Sequence, residues 1–203
     1  MVHCLLISKY YFNISIFFHC ELHPPSNSNF QMKENLANSF HPDPKWKWME
    51  FFLGFKKAIN LYSPFWGSGI KVLQYNKEKQ QINVQLKMNF FNKGYMGTHF
   101  GGSLYSMCDP FYVYLLMKNL GSNYMVWDKR AEIEYINKNN NSVFAKFEVS
   151  ENDIENIKSR LSKQKKIDYT FTINVTDSKE NTIALVKKII YIRKLTPKQK
   201  NRI

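Results

Sequence analysis

Cysteine is scarce in this chain: there are three, Cys4, Cys20 and Cys108. Three scattered thiols make no disulfide framework, and Cys108, inside an apolar segment, reads as a small packed side chain. The five histidines, His3, His19, His23, His41 and His99, show no metal-ligand spacing with these cysteines, so neither a metal site nor a cofactor is expected. Arginine is rarer than the charge suggests. Only Arg130, Arg160, Arg193 and Arg202 are present, against a formal net charge of +13. The excess is lysine, scattered except in the C-terminal tail. Asparagine is abundant beside it, as in an AT-rich coding sequence. Such charge reads as a solvated surface, with some lysines available to phosphate groups, and no nucleic-acid partner is expected.

A long apolar run is absent too. Cys4 to Phe18 is apolar but broken by Ser8, Lys9, Asn13 and Ser15. It is too short and too polar to span a bilayer, and it lacks the basic start and small-residue cleavage site of a signal peptide. No transmembrane segment is expected, and a cytoplasmic location follows as an expectation. A turn-rich linker, Leu22 to Asn29, comes next, then Met32. Residues 1–31 are read as a poorly structured extension. Either translation starts at Met32 or the segment is a weak membrane-surface anchor. No internal repeats occur.

What is present suits one domain with a short appendage: 203 residues, 44% of them hydrophobic and 16% aromatic. The rings could line an apolar cavity, but an ordinary core uses them equally well. Residues 32–68 are expected to form a helical segment, 69–195 the main domain and 196–203 a frayed basic tail. Lys45 to Tyr62 reads as a helix, because Trp48, Phe51, Phe52, Phe55, Ile59 and Tyr62 recur at three and four. It either covers a sheet or forms a lid. Strands are expected at Gly69–Tyr75 and Gln80–Met88, the latter alternating cleanly. A helix from Gly101 to Leu120, apolar nearly all round, should be buried on most sides. Ser122–Asn137 and Asn141–Ser150 look like a strand pair joined by an Asn-rich turn. A short amphipathic helix from Ser150 to Lys166 opens on a capping box, Ser150 with Asp153. Ile167–Val175 alternates, and Thr182–Arg193 is apolar on both faces and therefore central.

The chemically suggestive stretch runs from Asn92 to Tyr135. A loop containing Gly97, Thr98, His99, Phe100, Gly101 and Gly102 leads into the buried helix, which carries a lone carboxylate, Asp109. Glycines let a ligand approach backbone N–H groups at a helix start, and a carboxylate two turns on is placed for acyl-transfer chemistry. Asn92, Gly97 to Leu104, Asp109-Pro110 and Val126 to Lys129 together resemble the hotdog-fold thioesterases, most closely a branch catalogued only as a domain of unknown function. Weaker similarity extends from about Ser63 to Leu195.

The resemblance implies an α+β fold, an antiparallel sheet of about five or six strands wrapped around a long central helix, with an extra N-terminal helix. It also implies thioester substrates on coenzyme A or acyl carrier protein, and a homodimer or dimer of dimers whose subunits share the site. Asp109 matches the acidic base or nucleophile of such enzymes. Gly101 and Gly102 would supply oxyanion amides, Asn92 would orient water or the thioester, and Thr98, Phe100, Trp127 and Lys129 would line the substrate. Each has a structural alternative. Asp109 could bond a neighbouring group, the glycines could serve close packing, and Asn92 could bind its own loop.

The phenylacetic-acid-type thioesterases place His directly before the Gly pair. Here Phe100 stands there and His99 is one position early, which re-aims its side chain, and His99 is kept as a candidate catalytic residue beside Asp109 and Asn92. Parity with Ala131, Ile133 and Tyr135 puts Trp127 and Lys129 on the core face and Asp128 outside. Lys129 would then meet a carboxylate, such as Asp109 of a partner subunit, or a substrate phosphate, unless a bulge or strand end releases it to water. A non-catalytic acyl-binding or scaffolding protein is the main rival reading, and a dehydratase-type hotdog ranks last.

Overall fold

The computed structural model describes residues 44–196. The proposed extension at 1–31 and nearly all of the basic tail lie outside the described residues. Helix α1 (Pro44–Asn60) and the short α2 (Ser63–Ser68) precede β1 (Ile70–Asn76) and β2 (Gln81–Leu86). A single 3-10 turn (Phe90–Asn92) opens the loop to α3 (Gly101–Ser106) and α4 (Phe111–Leu120). Then come β3 (Tyr124–Tyr135), β4 (Val143–Glu148), α5 (Glu151–Lys163), β5 (Lys166–Asp177) and β6 (Thr182–Lys194).

All six strands form one sheet in the order β1-β2-β4-β5-β6-β3, and every neighbouring pair is antiparallel. α4 packs on its inner face. Phe111 meets Phe147 of β4 at 4.8 Å between ring centroids, and Tyr112 stacks on Phe171 of β5 at 4.1 Å. Leu115 and Leu116 beside them have no solvent exposure. Burying one such leucine contributes about 1.5–3 kcal/mol. A helix wrapped by an antiparallel sheet is the arrangement that the hotdog resemblance implies. Among the described residues no helix is long and apolar enough to cross a membrane.

Three expectations need correction. The central helix is not continuous: α3 ends at Ser106 and α4 starts at Phe111. Pro110 lacks an N–H and its ring disfavours helical geometry at Asp109, so the chain breaks there. The segments expected to pair around the Asn-rich turn do not pair. β3 joins β6, whereas β4 joins β2 and β5. Finally, the aromatic stripe of α1 is divided. Gly54, with φ 72° and ψ 158°, kinks the helix. Phe55 stacks on Tyr114 at 3.8 Å beyond the kink, while Trp48, Phe51 and Phe52 before it face solvent.

Candidate functional site

The loop from β2 to α3 is built around Asn92, which is 1% exposed. Its Nδ2 donates to the carbonyls of Ser68 (2.7 Å) and Lys87 (2.6 Å), and its Oδ1 accepts from the Asn89 amide (2.8 Å). The side chain thus ties the loop to the end of α2. A Cβ on Gly69 would lie 2.6 Å from both Asn92 Nδ2 and the Lys87 carbonyl oxygen, and Gly69 has φ +72°. Only glycine fits this crossing.

His99 is buried and aimed away from α3, toward the loop between β3 and β4. Its Nε2 lies 2.6 Å from the Asn141 carbonyl, which can only accept, so Nε2 carries the proton. Its Nδ1 is buried without a partner. Burial pushes the imidazole below its ordinary value, against the opposing pull of the Asn141 carbonyl, so the ring is neutral. Thr98 is half-buried, and its carbonyl accepts from the Gly94 amide at 2.7 Å.

Phe100 caps α3 and is 60% exposed. Gly101 and Gly102 follow it. A Cβ on Gly101 would meet Tyr135 Oη at 2.8 Å, and one on Gly102 would meet the Phe100 ring at 2.5 Å. Tyr135 donates to the Gly101 carbonyl at 3.0 Å. Close packing against Tyr135 accounts for Gly101, whereas at Gly102 the neighbour is the exposed Phe100 ring, which can move. The two glycine amides precede Ser103, whose N–H closes the first turn onto the Phe100 carbonyl, so they stay open to an acceptor.

Asp109 sits at the break between α3 and α4. Lys188 Nζ donates to its Oδ1 at 2.9 Å and lies 3.0 Å from Asp128 Oδ1. The second contact is an ion pair without hydrogen-bond alignment, since Asp128 Oδ1 makes no hydrogen bond. The Lys188 side chain is 2% exposed, Asp128 29% and Asp109 49%. Burial pushes the Asp128 carboxyl up to about 6; Lys188 opposes this and Asp109 adds to it. Burial alone would pull the Lys188 ammonium down, but the two carboxylates outweigh it and hold it above its ordinary value. Next door, burial raises the Cys108 thiol to about 12, so it is no thiolate nucleophile near neutral pH.

Lys129 does not reach Asp109. The β3–β6 register shifts between Asp128 and Arg130, leaving Lys129 as the extra residue of a bulge. It pairs with Asp168 at 2.6 Å on the surface. Past the bulge the parity is exchanged. Val126 and Asp128 lie opposite Ile192 and Ile190, and Ala131, Ile133 and Tyr135 opposite Lys188, Val186 and Ala184. Asp128 rather than Lys129 therefore belongs to the inner face, and Trp127 is 46% exposed. Parity misplaces Trp127, Asp128 and Lys129 because the strand is interrupted by the bulge, the alternative that releases Lys129 to water. Sequence reasoning also missed Lys188, although it shares its register with buried Ala184, Val186, Ile190 and Ile192. A lysine in that row was the available signal. Among the described residues, no three His, Cys, Asp or Glu side chains are grouped to hold a metal ion.

Residues 54–192 match the family model described as Domain of unknown function (DUF4442). The chain belongs to this family. Solved structures with the same architecture include a Pseudomonas aeruginosa protein of unknown function, described as a probable thioesterase. It has a TM-score of 0.60 at 11% identity, over 69% of this chain and 93% of that one. A thioesterase from Haemophilus influenzae aligns with a TM-score of 0.50 at 9% identity, covering 68% and 87%. A Chlorobaculum tepidum protein with unknown function aligns at 0.56 and 15% identity, covering 78% and 99%. At these identities the likeness shows the fold, which is the α+β hotdog fold. No curated protein matches the chain.

Proposed function

We propose that this DUF4442 protein is an acyl-thioester hydrolase acting on acyl groups carried by coenzyme A or acyl carrier protein. One observation carries the reading: Asp109, half exposed at the helix break, is held through Oδ1 by a fully buried Lys188. A carboxylate fixed on one side and open to solvent on the other suits a general base. Asp109 accepts a proton from water as the water oxygen bonds to the thioester carbonyl carbon. The Gly101 and Gly102 amides stabilise the resulting oxyanion. Collapse breaks the C–S bond, and the thiolate leaves and takes the proton held by Asp109, which restores the carboxylate.

Asp109 is taken from one subunit and the amides from another, as the hotdog resemblance implies for a site shared by two subunits. β3, at the end of the sheet, is the edge through which two copies would pair. Thr98, Phe100 and Trp127 would line the acyl group, Lys129 would lie near the carrier phosphates, and Asn92 acts as a positioning residue by holding the loop. The setting is the cytoplasm.

The test is hydrolysis of short, aryl and long acyl-CoAs by the wild type and by Asp109→Asn, with binding measured in parallel. Asp109→Asn should lose at least about 100-fold in rate while keeping affinity. A wild type that binds these compounds and hydrolyses none would show an acyl-binding protein instead, with Phe100 marking the altered loop. Light scattering that finds only monomer at micromolar concentration would remove the shared-site arrangement.

A further inference from the structure

Helix α1 carries a face that neither the core nor the candidate site uses. Before the Gly54 kink, its inward side is fixed by Trp46, edge-on to Tyr62 at 5.2 Å, and by Glu50, which accepts from Tyr114 Oη at 2.9 Å and pairs with Lys118 at 2.6 Å. The opposite side presents Trp48, Phe51 and Phe52, respectively 68%, 83% and 67% exposed. Within the helix these rings pack on each other, Phe52 lying 5.3 Å from Trp48 and 5.2 Å from Phe51. The kink is what keeps them outside. In a straight helix Phe51 would share a face with Phe55, which is packed on Tyr114 and Tyr75.

Charge on this helix is sorted. Its single acid, Glu50, points inward, whereas its lysines Lys45, Lys47, Lys56 and Lys57 are all exposed, Lys45 and Lys47 flanking the three rings by helical spacing. Three large rings on one side of a helix, with exposed lysines beside them and the helix's one acid turned inward, are the composition of a segment that lies in a membrane interface. The rings enter the boundary of the acyl chains, and the lysines stay among the phosphates. A protein groove could accept such a convex ridge, but exposed lysines beside the rings favour a phosphate-bearing surface.

We propose that the outer face of α1 docks this protein on an anionic lipid bilayer. This does not rest on the thioesterase reading, since no residue of the candidate site takes part. The full-length chain should float with vesicles containing roughly 30% anionic phospholipid and much less with purely zwitterionic ones. The double variant Phe51→Ser/Phe52→Ser and the double variant Lys47→Glu/Lys56→Glu should each lower vesicle binding at least about tenfold, with unchanged melting temperature. If the serine variant melts early, the glutamate variant, altered only at exposed positions, decides. Absence of flotation overturns the proposal. So does binding that survives both variants, which would place the contact elsewhere in the chain. A fall in oligomer mass in the serine variant with vesicle binding intact would overturn it as well, by showing a face between copies.

Discussion

Lys188 and Asp109 are 79 residues apart in sequence and 2.9 Å apart in space, and the lysine reaches the carboxylate from a strand row that is otherwise aliphatic. A buried ammonium is tolerated only where carboxylates compensate its lost hydration, and here Asp109 and Asp128 do so together.

Replacing that lysine should therefore be costly. Lys188→Met keeps the length and removes the charge, leaving Asp128 partly buried beside another anion. Breaking a buried pair costs about 3–5 kcal/mol. Half of Asp109 is open to solvent, so a loss nearer about 2–4 kcal/mol is expected. Urea unfolding measures it, and a stability unchanged within about 0.5 kcal/mol would show that the cluster contributes nothing.

Asp128 should give stability a defined pH dependence. Its carboxyl rises on folding from the ordinary 3.8 to about 6. The folded state thus holds this proton more tightly than the unfolded chain. The contribution is complete below the unfolded value and is lost as pH climbs through about 6. Asp128→Asn should flatten the stability profile between these two values. Denaturant midpoints across that range measure it, and parallel profiles for wild type and variant would contradict it.

Asn92 and Gly69 should behave as one unit. Asn92→Ala removes a buried side chain that bridges the Ser68 and Lys87 carbonyls, and the lost hydrogen bonds should cost about 1–3 kcal/mol in all. Gly69→Ala drives a methyl into the same place at a positive φ, and should cost at least about 2 kcal/mol. Combined, the two changes should cost less than their sum, because the alanine at 92 removes one of the atoms that a methyl at 69 would strike. Full additivity in thermal melts would argue against the shared contact.

His99→Ala should lower any thioester hydrolysis far less than Asp109→Asn, since the ring is turned to Asn141 and held there by its protonated nitrogen. Its main effect should be on the loop between β3 and β4, visible as faster amide exchange near residue 141. A larger rate loss than Asp109→Asn would show that the imidazole reaches the reacting group.

Much of the fold was readable from pattern. Ile82, Val84 and Leu86 alternate because one sheet face is buried, and the Ser150–Asp153 capping box forms as the spacing implies. Strand partners were not readable. Nothing local tells Ser122–Asn137 to prefer β6 over its neighbour in sequence, a choice settled by long-range pairing along eleven residues. At the site, the peculiarity of Asp109 was visible as a carboxylate in an apolar helix. Parity puts Lys129 on the core face; the alternative, a bulge, is what occurs, and it inverts parity without any glycine or proline to announce it. Lys188 escaped notice within a run read as apolar on both faces.

That bulge also governs how the strand finds its place. Were β3 regular through residue 129, an ammonium would stand where Asp128 now stands, and Lys188 would confront a second cation in a dry interior. The misaligned sheet would be penalised electrostatically even where its aliphatic contacts were satisfied. The buried lysine thus serves as a registration mark: it discriminates between two alignments of the same strand that hydrophobicity alone would rank closely.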